Sequence, residues 1–217
     1  MKKAQIAKQQ KIERLMNAAP VIAVVIVDDA RKAVIMARAL VAGGLPAIEV
    51  TLRTARALDC LAAIASEVEG AIAGAGTVLE PSQIKAVETA GAKFMVSPGT
   101  SLKLLDAADD SPVPLLPGTA TASEIMALGE RGYRHLKFFP ASVAGGHAYL
   151  MALAAPLPQF RFCPTGGITL ANARDYLSLP NVLCVGGSWV APGEAIDSED
   201  AFAIEELARH AARLKSS

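Results

Sequence analysis

Histidine and cysteine each occur only three times, and aromatic residues make up just 5% of the 217-residue chain. The histidines (His135, His147 and His210) fall in neither HxH nor HExxH spacing, so a metal-dependent aldolase or epimerase is not expected and no metal site is assigned. The cysteines (Cys60, Cys163 and Cys184) show no CxxC spacing, which argues against a disulfide scaffold and predicts a reduced, cytoplasmic setting. So few aromatics offer little surface for stacking bases. Lys+Arg and Asp+Glu also balance at 21 each, so nucleic acid is not an expected partner. No apolar run approaches the ~20 residues needed to span a bilayer, so no membrane is expected either. The basic opening segment "MKKAQIAKQQKIERLM" lacks the apolar core of a signal peptide. A GxSxG nucleophile elbow is absent too.

What the chain has in quantity is short apolar runs alternating with alanine-rich amphipathic segments. Hydrophobic residues reach 52%, ample for a large core. Strands are predicted at 21–27, 47–50, 71–76, 93–97, 113–117, 134–139, 161–165 and 182–187, their starts 20 to 27 residues apart. Helical segments such as 29–44 and 81–92 lie between them, with glycine stops at Gly43-Gly44 and Gly91 and a proline start at Pro81. A further helix is expected before the first strand and another over 198–214. Nothing divides the chain, so residues 1–217 are expected to form a single domain, a helix over 1–18 followed by a (β/α)8 TIM barrel over 19–217. A doubly wound open sheet would more often carry a glycine-rich turn after its first strand, where "IVDDA" stands instead.

Within "RHLKFF", Leu136 and Phe138 share the parity suited to packing beneath helices, so Lys137 points inward near the strand's C-terminal end. The same alternation in "AIEVTLRT" turns Glu49 inward. Barrel active sites lie at that end. A buried structural ion pair is the bland alternative, but desolvation often cancels its benefit. Burial favours a neutral amine, which adds to carbonyl carbon to give a Schiff base, and a carboxylate beside it serves to move the protons.

Two glycine-rich turns form a second constellation. "CPTGGI" follows the seventh strand and "VGGSW" the eighth, where barrels bind phosphate through loop N–H groups and a helix N-terminus. Ser188 adds a hydroxyl donor. Arg53, just past the second strand, is either a bidentate carboxylate ligand or an ordinary surface arginine. Thr77, ending the third, is either a turn or cap residue or a substrate contact. His135 lies two residues deeper than Lys137 and reads as barrel filling, and Cys163 and Cys184 read as core.

These residues carry a resemblance. "LVAGGLPAIEVTLRT", "GAGTVLEPSQ", "SPGTS", "KFFPAS", "RFCPTGGI" and "CVGGSW" resemble the 2-keto-3-deoxy-6-phosphogluconate (KDPG) and 4-hydroxy-2-oxoglutarate aldolase family, in motif order from about residue 17 to 190. The resemblance implies a metal-free class I aldolase on a (β/α)8 barrel, cytoplasmic and homotrimeric. It would split the phosphorylated 2-keto sugar acid into pyruvate and glyceraldehyde 3-phosphate, closing the Entner–Doudoroff pathway. Many relatives also split 4-hydroxy-2-oxoglutarate into pyruvate and glyoxylate. By motif, Lys137 becomes the Schiff-base lysine and Glu49 the acid and base. Arg53 and Thr77 become ligands of the pyruvate-derived carboxylate, and Thr165 a contact to the hydroxylated middle of the substrate. Gly166, Gly167, Gly187 and Ser188 become the phosphate loops, and Pro98 and Phe139 walls of the pocket. Two departures bear on the rim: Ala23 stands where a proline is frequent, and residues 142–146 read "SVAGG" instead of a more acidic loop.

Other readings predict different chemistry. A family relative that prefers the galactonate epimer or 4-hydroxy-2-oxoglutarate is distinguished by relative cleavage rates. A sugar-phosphate isomerase or epimerase would form no reducible adduct with pyruvate. A non-catalytic sugar-phosphate-binding barrel would bind phosphate ligands and yield no product.

Overall fold

Asp29 accepts a hydrogen bond from Lys32 N–H at 2.9 Å, and Gly44 takes a left-handed φ of 94°, so the alanine-rich segment between them is capped at both ends. Such caps recur along the chain in the computed structural model, which describes residues 3–214. Residues 1, 2 and 215–217 of the expected helix and domain lie outside the described residues. The elements run α1 (Lys3–Asn17), β1 (Val21–Val25), α2 (Ala30–Ala42), β2 (Ala47–Thr51), α3 (Ala57–Glu67), β3 (Ile72–Gly76) and α4 (Pro81–Thr89). They continue β4 (Phe94–Val96), α5 (Leu102–Asp110), β5 (Leu115–Leu116), β6 (Gly118–Thr119), α6 (Ala122–Glu130), β7 (His135–Phe138) and α7 (Gly146–Ala154). The last are β8 (Arg161–Pro164), α8 (Ala173–Leu177), β9 (Val185–Gly187), α9 (Gly193–Asp197) and α10 (Ala201–Ala212). None of these helices is long and apolar enough to cross a membrane.

Among the described residues, every pair of adjacent strands runs parallel, as expected when helices form the crossovers. The result is an α/β fold with a curled parallel sheet in two hydrogen-bonded pieces. One piece has the order β5-β4-β3-β2-β1-β9 and the other β6-β7-β8. The strand expected over 113–117 is corrected by this division. Its residues form β5, paired with β4, and the chain continues past Pro117 as β6, paired with β7. Proline has no N–H to give to a ladder. The Pro117 carbonyl still accepts from Lys137 N–H at 2.8 Å, so the break is local.

Two parities divide the core. Ile48, Val50, Leu136 and Phe138 belong to the larger apolar cluster, which includes the buried faces of α2, α3 and α6. Residues of the other parity, including Ile22, Ala47, Phe94, Val96, Cys163 and Cys184, form a smaller cluster completed by Ile12, Leu15 and Met16 of α1. The N-terminal helix therefore seals the end of the strands away from Lys137. Each of its three apolar anchors contributes about 1.5–3 kcal/mol of burial. Polar contacts orient it. Gln9 Oε1 accepts from the N–H groups of Arg134 (2.8 Å) and His135 (3.1 Å), and Lys8 Nζ donates to the carbonyls of Ala108 and Asp109 at the C-terminus of α5.

Candidate active site

Lys137 occupies the third position of β7, flanked in register by Gly118 and Cys163. It is 5% exposed, and its ammonium donates to Glu49 Oε1 at 3.1 Å. Glu49 is 3% exposed and comes from the middle of β2, across the sheet boundary. The inward parity read for both residues holds. Glycine makes their meeting possible. A Cβ on Gly76, the last residue of β3, would lie 2.6 Å from Glu49 Cγ and 2.7 Å from its Cδ, with Oε1 closer still. Gly118, next to Lys137, has no room for a side chain against the Pro98 backbone. The Phe139 ring lies 5.4 Å from the lysine nitrogen, within cation–π range.

A buried pair of this kind roughly breaks even for stability, because two charges lose their water. Chemically it places a primary amine and a carboxylate one proton transfer apart. In its neutral form the amine attacks a carbonyl carbon while the carboxylate takes up and returns the protons.

Beside the pair opens a cavity of about 230 Å³, walled by residues at the C-terminal ends of β1, β2, β8 and β9 and just beyond β7. Of the residues singled out from sequence, Arg53, Phe139, Thr165, Gly166, Gly167, Gly187 and Ser188 line it. Arg53 is solvent-exposed, whereas Thr165 is 6% exposed. Gly166 (φ 98°) and Gly167 (φ 76°) take left-handed conformations, and a Cβ on Gly167 would strike the Ser142 side chain. Among the described residues, the N–H groups of Gly166, Gly167 and Ser188 donate to no protein acceptor. Those donors suit an oxyanion. One expectation needs correction. The helices after these turns start only at Ala173 and Gly193 and span five residues each, so loop N–H groups rather than a helix N-terminus face the cavity.

Thr77 and Pro98 are brought to the same end of the strands without walling this cavity. Thr77 is half-buried with a left-handed φ of 58°, directly after the Gly76 that makes room for Glu49. Pro98 is half-buried beside Gly118. Five cavity residues escaped the sequence reading: Val24, Ile26, Thr51, Ile168 and Gly186. Thr51 was accessible by carrying the alternation of "AIEVT" two residues past Glu49, and its hydroxyl donates to Val25 O at 2.9 Å. His135 fills space as expected. Its Nδ1 lies 3.3 Å from Gln9 Oε1, and burial holds its pKa below the usual imidazole range. Among the described residues, no group of three or more His, Cys, Asp and Glu side chains is placed to hold a metal ion.

Residues 12–207 match the family model for KDPG and KHG aldolase. The KHG/KDPG aldolase of Escherichia coli (strain K12) is 51% identical over 199 residues, covering 92% of this chain and 93% of that protein. The 2-dehydro-3-deoxy-phosphogluconate aldolase of Pseudomonas aeruginosa is 48% identical over 204 residues, covering 94% and 93%. Among solved structures, the KDPG aldolase of Legionella pneumophila, with pyruvate captured as a covalent carbinolamine intermediate, superposes with a TM-score of 0.90. It is 44% identical, with 92% of this chain and 97% of that one covered. The aldolase of Zymomonas mobilis ZM4 with 3-phosphoglycerate gives a TM-score of 0.91 at 43% identity, covering 95% and 97%.

Proposed function

The chain belongs to the KDPG and KHG aldolase family, and on that premise we propose that it cleaves 2-keto-3-deoxy-6-phosphogluconate to pyruvate and glyceraldehyde 3-phosphate through a Schiff base on Lys137. The protein is a carbon–carbon lyase. The observation that carries the role of Lys137 is its 3.1 Å contact with Glu49, both side chains buried, next to a cavity at the C-terminal ends of the strands.

The neutral amine of Lys137 adds to the C2 carbonyl to give a carbinolamine, which loses water to become a protonated imine. The C3–C4 bond then breaks, and its electron pair passes into the imine to form an enamine. Glu49 takes the C4 hydroxyl proton as the aldehyde departs. Protonation at C3 and hydrolysis release pyruvate and regenerate the amine. Arg53 and Thr77 orient the carboxylate, Thr165 contacts the hydroxylated middle, and Pro98 and Phe139 form walls. Gly166, Gly167, Gly187 and Ser188 hold the phosphate, a non-reacting group whose anchoring positions the reacting one. The smaller 4-hydroxy-2-oxoglutarate enters the same route, in line with the name of the E. coli relative.

The assembly follows the same reading. The two sheets make one eight-stranded barrel, supported by bridges from Phe162 to Val182 and Thr165 to Gly186 and by the continuity of the chain through Pro117. The chain forms one domain, supported by a core cluster running from Ala19 to Leu214. Exposed Met126, Val143 and Met151, on and beside α6 and α7, which a hydrogen bond from Ala122 N–H to the Tyr149 hydroxyl links, suit burial in a homotrimer. The cytoplasm is the fitting compartment for this chemistry.

Borohydride reduction in the presence of pyruvate, followed by peptide mass spectrometry, tests the proposal. A pyruvate-dependent adduct on Lys137, with Lys137→Ala folded but inert, is the expected result. An adduct on another lysine, or none, overturns it.

A further inference from the structure

The opposite end of the strands holds a second cavity, of about 270 Å³. Its floor is apolar. Leu15 comes from α1, Ile72 and Phe94 open β3 and β4, and Pro114 precedes β5. Its rim is cationic, with Lys11 and Arg14 one turn apart on α1 and Lys93 immediately before β4. All three cations are exposed, and no aspartate or glutamate lines the cavity. Among the described residues, none of the three has a carboxylate within ion-pair distance. Lys8, one turn earlier on the same helix, contrasts with them because its ammonium is held by the carbonyls ending α5.

Unneutralised positive charges around an apolar recess repel one another, and an incoming anion relieves that repulsion. The recess shields part of a ligand from water, which strengthens the charge pairing at its mouth. Apolar walls with a few convergent polar groups are the usual makeup of a small-molecule site, and the volume suits a compact ligand.

We propose that this cavity binds a small amphipathic anion, its apolar body seated on Phe94, Ile72 and Leu15 and its carboxylate or phosphate held by Lys93, Lys11 and Arg14. The site shares no residue with the lyase cavity, whose walls all lie at the other ends of the strands. It therefore stands whether or not the assignment of Lys137 does.

The test is a fluorescence titration of the full chain with 2-naphthoate and with its neutral twin, 2-naphthamide. The naphthoate binds saturably with a Kd below about 1 mM, and the amide at least about tenfold more weakly. An Arg14→Gln/Lys93→Gln double variant loses about tenfold or more in naphthoate affinity. That variant retains wild-type lyase turnover, and Arg53→Gln leaves naphthoate affinity unchanged. The proposal is overturned by an absence of saturable binding, by equal affinity for the amide, or by sensitivity to Arg53→Gln with none to the double variant.

Discussion

Replacing Gly76 with alanine adds one methyl group at the point where β3 passes Glu49. That methyl would lie 2.6 Å from Glu49 Cγ, against about 3.5–4.0 Å for carbon atoms in contact. The glutamate must therefore recede by roughly 1 Å, and a misplacement of about 1 Å at a reacting group costs about 100-fold in rate. Pyruvate release, followed through coupled reduction to lactate, should show kcat down by at least about 100-fold. Overpacking also destabilises, by about 1–3 kcal/mol, and each kcal/mol lowers Tm by roughly 2–4 °C in a chain of this size. Gly74→Ala separates the two effects. Although Gly74 is the register partner of Glu49, its methyl would collide with the Phe94 ring and not with the glutamate side chain. The Gly74 variant should lose comparable thermal stability yet keep most of its turnover. If Gly76→Ala retained turnover within about threefold of wild type, the claim that Glu49 must stay beside Lys137 would fail.

Other consequences are equally direct. If the glycine loops hold phosphate as proposed, Ser188→Ala removes one hydroxyl donor from them, a charge-assisted bond of about 1.5 kcal/mol or more. KM for the phosphorylated substrate should therefore rise about tenfold or more, while cleavage of unphosphorylated 4-hydroxy-2-oxoglutarate stays unchanged. Burial pushes the Cys60 thiol up to about 11. Iodoacetamide at pH 8 should leave Cys60 unmodified in the native protein and alkylate it in guanidinium, as peptide mass spectrometry would show. His135 has a depressed pKa, mainly from burial, so the unfolded chain binds a proton that the folded chain refuses. Stability should fall as pH drops from about 6.5 toward the lower folded value. Urea unfolding at pH 7 and pH 5.5 should show a smaller loss for His135→Gln than for wild type.

Alternation along two short strands is enough to predict that Lys137 and Glu49 face the same interior, because a side-chain period of two leaves a strand residue only two sides. The eight strand positions are equally plain, each an apolar run between glycine, proline or charged punctuation. Other features depend on information no local window holds. "VPLLP" looks like one strand until its neighbours are known, and Pro117 divides it only because β4 and β7 claim different halves. The apolar stripe of α1 announces a buried face but not its target, and the seal over the strand ends is a tertiary outcome. Thr77 and Pro98 follow from motif resemblance, yet the cavity beside Lys137 opens on the side of β1, β8 and β9, which motif order does not encode.

Lys137 belongs to the three-stranded sheet and Glu49 to the six-stranded one, so their 3.1 Å contact spans two separately hydrogen-bonded arcs. The pair acts as a strain gauge across the seam at Pro117. A shift of one arc against the other would change the distance between the amine and the carboxylate. On the proposed role of the pair, substitutions along the seam, far from any substrate, should therefore register in turnover as well as in melting temperature.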